Sequence, residues 1–262
     1  MTTNYKNIEI TVDHFTATLW LNRPERHNAL NPELMKETIH FFSSVNDDER
    51  IRFIVIRGKG KSFCAGADLN WMKEAANLSY EENLNDSQLL TDFFSVIYNC
   101  SKVVIGIGHG NIFGGGNGLL AVCDFAYGLK DARFSLSETR LGLIAATITP
   151  YMLGKLSPSV YKALIFTARP YNGDEAQRIG LLNASFENME TLDAHLNETV
   201  DYMLKAGPKS LIGSKKLINE LLNPEKSKEV MKQIPRILAE VRVTSEASEG
   251  FSAFLEKRKP NW

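Results

Sequence analysis

The sequence predicts an α/β fold that ends in a mostly helical C-terminal part. Short runs rich in β-branched and aromatic residues alternate with amphipathic helical patterns in the first part of the chain, and strand signals disappear from about Leu156 onward. Such alternation is typical of α/β domains. The 262 residues and a hydrophobic fraction of 44% suit one large domain with an appendage.

Five short apolar runs are the predicted strands. They are IEITV (8–12), TATLWLN (16–22), FIVIRG (53–58), VVIGIG (103–108) and FAYGL (125–129). Each is short and bounded by polar or turn residues, as buried strands are.

Two helices are predicted between these strands. Pro32 follows Asn31 where a first helical turn would begin, and the next residues carry the apolar spacing of an amphipathic helix. A second helix is predicted from Tyr80 to about Asn99. Further helical patterns occupy 157–168, 172–180, 198–207, 208–222 and the stretch that leads to the end of the chain. We therefore predict a core over 1–198 and a helical region over 199–262.

The charge balance argues against a partner recruited by a global electrostatic field. Thirty Lys+Arg and 31 Asp+Glu leave a formal net charge of -1, which gives no support to nucleic-acid or anionic-membrane binding. The first residues carry no secretory pattern, and no apolar stretch approaches the roughly 20 residues that span a bilayer. We predict a cytoplasmic protein whose three cysteines, Cys64, Cys100 and Cys123, are reduced.

A glycine-rich stretch, GNIFGGGNGLLAVCD (110–124), is the most unusual local feature. Glycine-rich turns at helix starts can bind phosphate, but no G-x-x-x-x-G-K-[ST] occurs, and Phe113 stands where a dinucleotide fingerprint needs glycine. The five histidines are scattered, with no metal-ligand spacing. Taken alone, the stretch is equally well explained as a tight strand-to-helix turn.

Further motifs surround this stretch in a defined order. They are LNRPERHNAL (21–30), KSFCAGADL (61–69), FGGGNGLLAVCD (113–124), FSLSETRLGL (134–143) and AFLEKRKPNW (253–262). Together they resemble the crotonase, or enoyl-CoA hydratase/isomerase, superfamily over essentially the whole chain. The resemblance implies a crotonase-like spiral of β-β-α units with a helical C-terminal region that trimerises, often into a dimer of trimers.

The resemblance also implies a chemistry, the stabilisation of a thioester enolate by two backbone N–H groups. These donors match Ala67 and Gly115. Preorganised donors of this kind hold the charge that develops on the thioester oxygen, and one of them is typically worth about 2.7 to 4 kcal/mol. Side chains at the glycines would block the acyl-CoA, so the resemblance makes the glycine cluster functional.

Coenzyme A is placed by the same resemblance, as part of the substrate; no separate cofactor and no metal is expected. Its adenine and pantetheine would follow a surface track, and two residues would reach it from a neighbouring subunit. The track matches Arg26, His27, Ala65, Gly66, Asp68, Leu69 and Gly114, and the residues from the neighbour match Phe254 and Lys257.

One departure from the superfamily pattern concerns the acid/base residues. Typical enoyl-CoA hydratases carry two glutamates, and here the first of those positions is Gly118 while the second is Glu138. Hydration needs a base to activate water and an acid to protonate Cα, so Glu138 would have to do both in turn. A single proton shuttle also suits a double-bond isomerase, so the isomerase interpretation remains open.

The segments around that departure resemble the bacterial methylglutaconyl-CoA hydratases of leucine catabolism and their carboxygeranoyl-CoA relatives, in which glycine also occupies the first glutamate position. The resemblance implies a branched enoyl-CoA substrate with a second carboxylate, for which Arg140 is a candidate partner. The N–H of Ala146 is a candidate to hold a water. The alternatives are an enoyl-CoA isomerase that uses Glu138, and a non-catalytic relative that binds acyl-CoA or RNA.

Overall fold

The computed structural model describes residues 5–75 and 77–262, and the chain forms two compact units. One unit ends at Asp193 and the other runs from Ala194 to Trp262. The predicted boundary at 198/199 lies slightly later, inside the same helix. The architecture is mixed α/β with a helical C-terminal region, as the sequence predicts.

Nine strands lie in the described residues. They are β1 Ile8–Asp13, β2 Thr16–Leu21, β3 Phe53–Gly58, β4 Val103–Gly108, β5 Asn111–Phe113, β6 Phe125–Leu129, β7 Arg133–Ser135, β8 Tyr171–Asn172 and β9 Ala184–Phe186. Six of them form one sheet in the order β1-β2-β3-β4-β6-β9, and three form a second sheet in the order β5-β7-β8.

Eleven α-helices complete the described chain. They are α1 Pro32–Val45, α2 Leu69–Ala75, α3 Tyr80–Tyr98, α4 Gly115–Ala121, α5 Thr149–Lys155, α6 Pro158–Thr167, α7 Gly173–Arg178, α8 Met189–Leu204, α9 Pro208–Leu222, α10 Ser227–Arg242 and α11 Ser245–Leu255. Single 3₁₀ turns cover Pro24–Arg26 and Glu138–Leu141.

The large sheet is a hairpin followed by parallel strands. β1 and β2 pair antiparallel, from Ile8 opposite Leu21 to Asp13 opposite Thr16, and the other neighbours in this sheet pair parallel. All six residues of β4 are buried, as expected of a central strand covered on both faces. The five predicted strands are confirmed, with ends that differ by at most one residue.

Local capping explains where the two predicted helices begin. The Asn31 side chain accepts a hydrogen bond from the Leu34 N–H, and Pro32 occupies the first turn of α1. Ser79 and Glu82 form a capping box at the start of α3. Both helix predictions are confirmed.

The expectation that strands end before Leu156 is wrong. β8 pairs antiparallel with β7, with Tyr171 opposite Phe134, and β9 pairs parallel with β6 at the edge of the large sheet. These strands have two and three residues. Runs this short carry no periodicity, so only their tertiary partners define them.

The C-terminal unit is a set of helices tied by side-chain caps. The Glu246 carboxylate, in the first turn of α11, accepts hydrogen bonds from the Lys209 and Ser210 N–H groups at 3.0 and 2.8 Å. It thereby occupies two otherwise unsatisfied N–H groups at the start of α9. Among the described residues no helix is long and apolar enough to span a membrane.

Candidate active site

Two backbone segments, 64–68 and 111–116, run together at the small sheet. The Cys64 N–H donates to the Asn111 carbonyl at 3.2 Å, and the Phe113 N–H donates to the Cys64 carbonyl at 3.0 Å. A Cβ on Gly116 would overlap the Cys64 carbonyl oxygen. The contact therefore requires glycine at this position and fixes the glycine-rich turn against the CAGAD segment.

Ala67 has an unoccupied N–H because of the way its neighbours pair. Leu30 forms an isolated parallel bridge with Ala67, in which the Leu30 N–H donates to Gly66 O at 2.7 Å and the Asp68 N–H donates to Leu30 O at 2.9 Å. A parallel bridge uses the groups on either side of the central residue, so the Ala67 N–H points away from Leu30. It has no hydrogen-bond partner in the part of the chain that the structure describes.

Gly115 supplies a second unoccupied N–H. It is the first residue of α4, whose first N–H groups have no intrahelical acceptor. The preceding Gly114 has φ 48° and ψ −117°, a conformation that disfavours other residues, and its own N–H donates to Ser135 O at 2.9 Å. A Cβ on Gly115 would lie 2.8 Å from Leu30 Cδ1. The buried Leu30 thus lies beside both Ala67 and Gly115.

Glu138 faces this turn from the end of the small sheet. It begins the 3₁₀ turn that follows β7, and a Cβ on Gly114 would lie only 3.2 Å from Glu138 Oε1. The other oxygen, Oε2, is buried and has no hydrogen-bond partner within the described chain. Burial raises the pKa of this carboxyl. Glu138 is therefore a half-buried carboxyl with a free oxygen, which suits proton transfer.

Gly118, where the first glutamate of typical hydratases would stand, faces apolar side chains. A Cβ on Gly118 would overlap Ile148 Cγ2 and lie 3.0 Å from Phe94 Cε1. Both apolar residues are buried. The sequence predicts the missing carboxylate but not the two residues that fill its place, because Ile148 and Phe94 lie far from position 118 along the chain.

Most residues of the predicted coenzyme A track lie at the surface around the CAGAD segment. Arg26 and His27 are exposed, and the Ala65 N–H donates to the His27 carbonyl at 3.0 Å. His27 Nδ1 also lies 3.0 Å from the hydroxyl of the buried Ser62. This contact anchors the Arg26–His27 turn beside the donor at Ala67.

Asp68 is buried, as Gly66 is, whereas the other residues of that track are exposed or half-buried. Its buried carboxylate forms an ion pair with Arg23 at 2.8 Å and accepts from the Asn70 N–H at 2.8 Å. Burial alone would raise the pKa of Asp68, but the hydrogen bonds from Arg23 and the backbone hold it below its usual value. The side chain thus braces the segment, while its neighbour Leu69 is exposed.

Ala146 and Arg140 lie on the segment after Glu138. The Ala146 N–H donates to the Ile144 carbonyl at 2.9 Å, so the expectation that this N–H is free to hold a water is wrong. Arg140 is exposed, and its Nη2 lies 3.4 Å from the Thr167 carbonyl. Its role as a carboxylate partner stays a prediction.

Phe254 and Lys257 belong to the C-terminal unit. Phe254 is 81% exposed near the end of α11, and Lys257 has φ 54° just beyond the helix. Both residues are exposed. Their predicted role toward coenzyme A in a neighbouring subunit stays a prediction.

Two further residues near the site were not found from the sequence. Asn117 and Tyr171 are buried, and the Tyr171 hydroxyl donates to Asn117 Oδ1 at 2.7 Å. Asn117 lies inside the glycine-rich motif, and a polar residue among glycines is the only sign of it in the sequence. Nothing in the sequence around Tyr171 indicates a contact with that motif.

Two backbone N–H groups without a partner among the described residues, near a half-buried carboxyl, form an arrangement that suits an enzyme which stabilises an oxyanion beside a site of proton transfer. Comparison with known proteins shows the family to which the chain belongs. The description "Enoyl-CoA hydratase/isomerase" belongs to the family model that matches residues 14–262. The chain belongs to this family and is an enzyme of the hydratase/isomerase type.

Individual relatives agree with this assignment. The crotonyl-CoA hydratase of Syntrophomonas wolfei is 34% identical over 260 residues, which cover 98% of each chain. The mitochondrial Delta(3,5)-Delta(2,4)-dienoyl-CoA isomerase of Mus musculus is 33% identical and covers 81% of this chain and 68% of its own. A crystal structure of an enoyl-CoA hydratase from Shewanella pealeana superimposes with a TM-score of 0.93 at 30% identity, covering 98% of this chain and 96% of its own.

Proposed function

We propose that the protein adds water to the double bond of an α,β-unsaturated acyl-CoA, with Glu138 as its single acid/base. The observation that carries the proposal is the free, buried Oε2 of Glu138 next to the turn that presents Gly115. Ala67 and Gly115 would donate their N–H groups to the thioester oxygen. Both N–H groups lack a partner within the described residues, so binding a thioester there breaks no existing hydrogen bond.

The proposed reaction needs one proton to move twice. Ionised Glu138 accepts a proton from water as the water oxygen bonds to Cβ, and the electrons of the double bond move onto the thioester oxygen. The resulting enolate is held by the Ala67 and Gly115 N–H groups. Glu138 then returns the proton to Cα on the same face, which restores both the thioester and the carboxylate.

The substrate we propose is branched and carries its own carboxylate, as in 3-methylglutaconyl-CoA. Gly118 removes one protein carboxylate, and the side chains nearest to a Cβ at this position, those of Ile148 and Phe94, are apolar. A carboxylate on the substrate would supply the missing polar group. Arg140, two residues after Glu138 and exposed, is the candidate cation to bind it.

Isomerisation of the double bond is the second candidate, and the same apolar side favours it. An isomerase moves a proton between two carbons, needs only one carboxylate and gains from the exclusion of water. Ile148 and Phe94 at position 118 are consistent with that requirement. A relative that is 33% identical is named a dienoyl-CoA isomerase.

A substrate panel separates these proposals. The panel contains crotonyl-CoA, 3-methylglutaconyl-CoA, 3-hydroxy-3-methylglutaryl-CoA and 3-enoyl-CoA esters, and the absorbance of the conjugated thioester is followed. We expect 3-methylglutaconyl-CoA to lose absorbance far faster than crotonyl-CoA. A gain of absorbance only with 3-enoyl-CoA would support the isomerase, and no change with any ester would leave acyl-CoA or RNA binding.

The Arg140→Gln variant tests the carboxylate partner directly. We expect kcat/KM for 3-methylglutaconyl-CoA to fall while kcat/KM for crotonyl-CoA stays unchanged, because only the first substrate has a second carboxylate. Lys162→Gln is the matched control, since it removes another exposed cation from the same unit. An equal fall for both substrates in Arg140→Gln would contradict the assignment.

The assembly we propose is a homotrimer or a dimer of trimers in which Phe254 and Lys257 reach coenzyme A of a neighbouring subunit. Their exposure within their own unit supports this. Light scattering during size-exclusion chromatography measures the assembly. An active monomer would contradict the proposal, and a trimer whose Lys257→Ala variant keeps its KM for acyl-CoA would contradict the role of Lys257.

A further inference from the structure

Asn117 is a fully buried amide whose hydrogen bonds converge on the two halves of the site. Its Nδ2 lies 3.1 Å from the Ile112 carbonyl, 3.3 Å from the Gly114 carbonyl and 2.9 Å from the Ser135 carbonyl. Ile112 and Gly114 belong to the glycine-rich segment, whereas Ser135 ends β7, the strand that leads to Glu138. One side chain therefore ties the segment of the oxyanion donor to the segment of the acid/base.

Tyr171 fixes which way this amide points. Its hydroxyl donates to Asn117 Oδ1 at 2.7 Å, which directs Nδ2 toward the three carbonyls. Burial raises the pKa of Tyr171, so the phenol keeps its proton and remains a donor throughout the ordinary pH range. The ring itself is held by stacking on Phe134, with centroids 5.1 Å apart.

The backbone also joins these segments, because β5 pairs in parallel with β7 and the Gly114 N–H donates to Ser135 O at 2.9 Å just beyond that pairing. Gly114 has a positive φ and no side chain, so the direction of its peptide planes depends on the hydrogen bonds that they make. Rotation of the peptide between Gly114 and Gly115 would turn the Gly115 N–H away from the substrate. Asn117 restrains that same peptide group through two hydrogen bonds, since its backbone N–H donates to Gly114 O at 2.9 Å and its Nδ2 lies 3.3 Å from the same oxygen. The Gly114 carbonyl and the Gly115 N–H belong to one plane.

We propose that Asn117 and Tyr171 are positioning residues that hold the Gly115 N–H in a fixed direction relative to Glu138, an inference that rests on the proposed oxyanion role of Gly115. Neither side chain touches the substrate. They act through the peptide plane before Gly115 and through Ser135. Their loss therefore weakens enolate stabilisation without removing a group that binds coenzyme A.

The Tyr171→Phe variant tests this while keeping the stacked ring. We expect kcat to fall roughly tenfold, the effect of one misdirected hydrogen bond of about 1.4 kcal/mol, with KM little changed. Tyr5→Phe is the matched control, because the Tyr5 hydroxyl also makes a side-chain hydrogen bond, with His40 Nδ1 at 2.7 Å, and His40 belongs to α1 rather than to either of these segments. This control should keep the wild-type kcat.

A spectroscopic readout separates positioning from a general loss of stability. Butyryl-CoA labelled with ¹³C at the thioester carbonyl has no double bond to react, and the infrared carbonyl band of the bound ester reports the strength of the oxyanion hydrogen bonds. In the wild-type enzyme the band should lie at lower frequency than in water. In Tyr171→Phe this lowering should shrink, and in Tyr5→Phe it should not.

Each outcome bears on a different claim. No lowering of the band in the wild-type enzyme would remove the proposed oxyanion hole itself. The positioning role alone would be overturned if the wild-type enzyme lowers the band frequency and Tyr171→Phe lowers it equally with an unchanged kcat. Asn117→Asp, which replaces the two donors by an oxygen facing three carbonyls, should show the smaller lowering as well, and a folded Asn117→Asp enzyme with the wild-type band would also overturn it.

Discussion

Glu138 and Gly118, the two positions at which typical enoyl-CoA hydratases carry glutamates, have opposite surroundings. Glu138 keeps a buried oxygen without a partner among the described residues, whereas Gly118 is enclosed by the apolar side chains of Ile148 and Phe94. The buried, unpartnered oxygen of Glu138 costs stability, whereas position 118 is occupied by apolar packing. The space of the missing carboxylate is therefore not vacant, because buried apolar side chains fill it.

Removal of the Glu138 carboxylate should give the largest effect. We expect Glu138→Gln to lower kcat about 10²- to 10⁴-fold, the usual contribution of a general acid/base, while the affinity for a saturated acyl-CoA is kept. Stopped-flow or steady-state assays with the preferred ester measure the loss. Residual activity within a factor of ten of the wild-type enzyme would show that another group moves the proton.

A carboxylate introduced at position 118 should disrupt the apolar packing there. Gly118→Glu is expected to destabilise the protein by about 1–3 kcal/mol, because the new side chain overlaps Ile148. Urea denaturation measures this effect. The double variant Gly118→Glu with Ile148→Ala removes the overlapping side chain and should recover hydration of crotonyl-CoA relative to Ile148→Ala alone. A fully stable Gly118→Glu protein would contradict the packing described here.

The pH dependence of the reaction tests the proposed role of Glu138. Hydration needs ionised Glu138, so kcat/KM should fall about tenfold per pH unit once the pH drops below the pKa of this carboxyl. Burial raises that pKa, so the fall should begin above the ordinary value for glutamate of about 4.3. Rates measured across a pH series in one buffer system test this. A profile that is flat down to the ordinary value would show that Glu138 is well solvated or is not the base.

The smallest effect concerns stability. Because the folded-state pKa of Glu138 is raised, its ionised form destabilises the folded protein, and this penalty is absent below the unfolded-state pKa. Glu138→Gln should therefore be slightly more stable than the wild-type protein at neutral pH, and the difference should vanish as the pH approaches about 4. Thermal unfolding at both pH values compares them. A less stable variant at neutral pH would mean that the carboxylate has a stabilising partner.

The sequence predicts the parts of the site that lie in short motifs, and misses those that depend on distant contacts. Ala67, Gly115 and Glu138 stand in recognisable segments, and the structure brings all three around the same turn. Ile148 and Tyr171 lie far along the chain from the positions they contact, so no local pattern identifies them. The Ala146 N–H fails as a water site for a local reason, a bond to Ile144 that depends on how the loop bends.

The same distinction applies to the fold. The strands over 53–58 and 103–108 are continuous apolar runs and are confirmed, because buried parallel strands leave that signature. The small sheet of β5, β7 and β8 was not predicted. Its strands have two or three residues and are defined by pairing, for example of Tyr171 with Phe134.

The oxyanion donors proposed at Ala67 and Gly115 are main-chain groups, so changes of side chain need not remove them. Every residue except proline carries an N–H, so side-chain substitutions elsewhere can remodel the acyl site while the two donors remain. A fold that keeps its chemistry in the backbone can change substrate without first losing its reactive intermediate. Such freedom is consistent with the comparison to the Shewanella pealeana structure, in which the sequence identity is only 30% although the TM-score is 0.93.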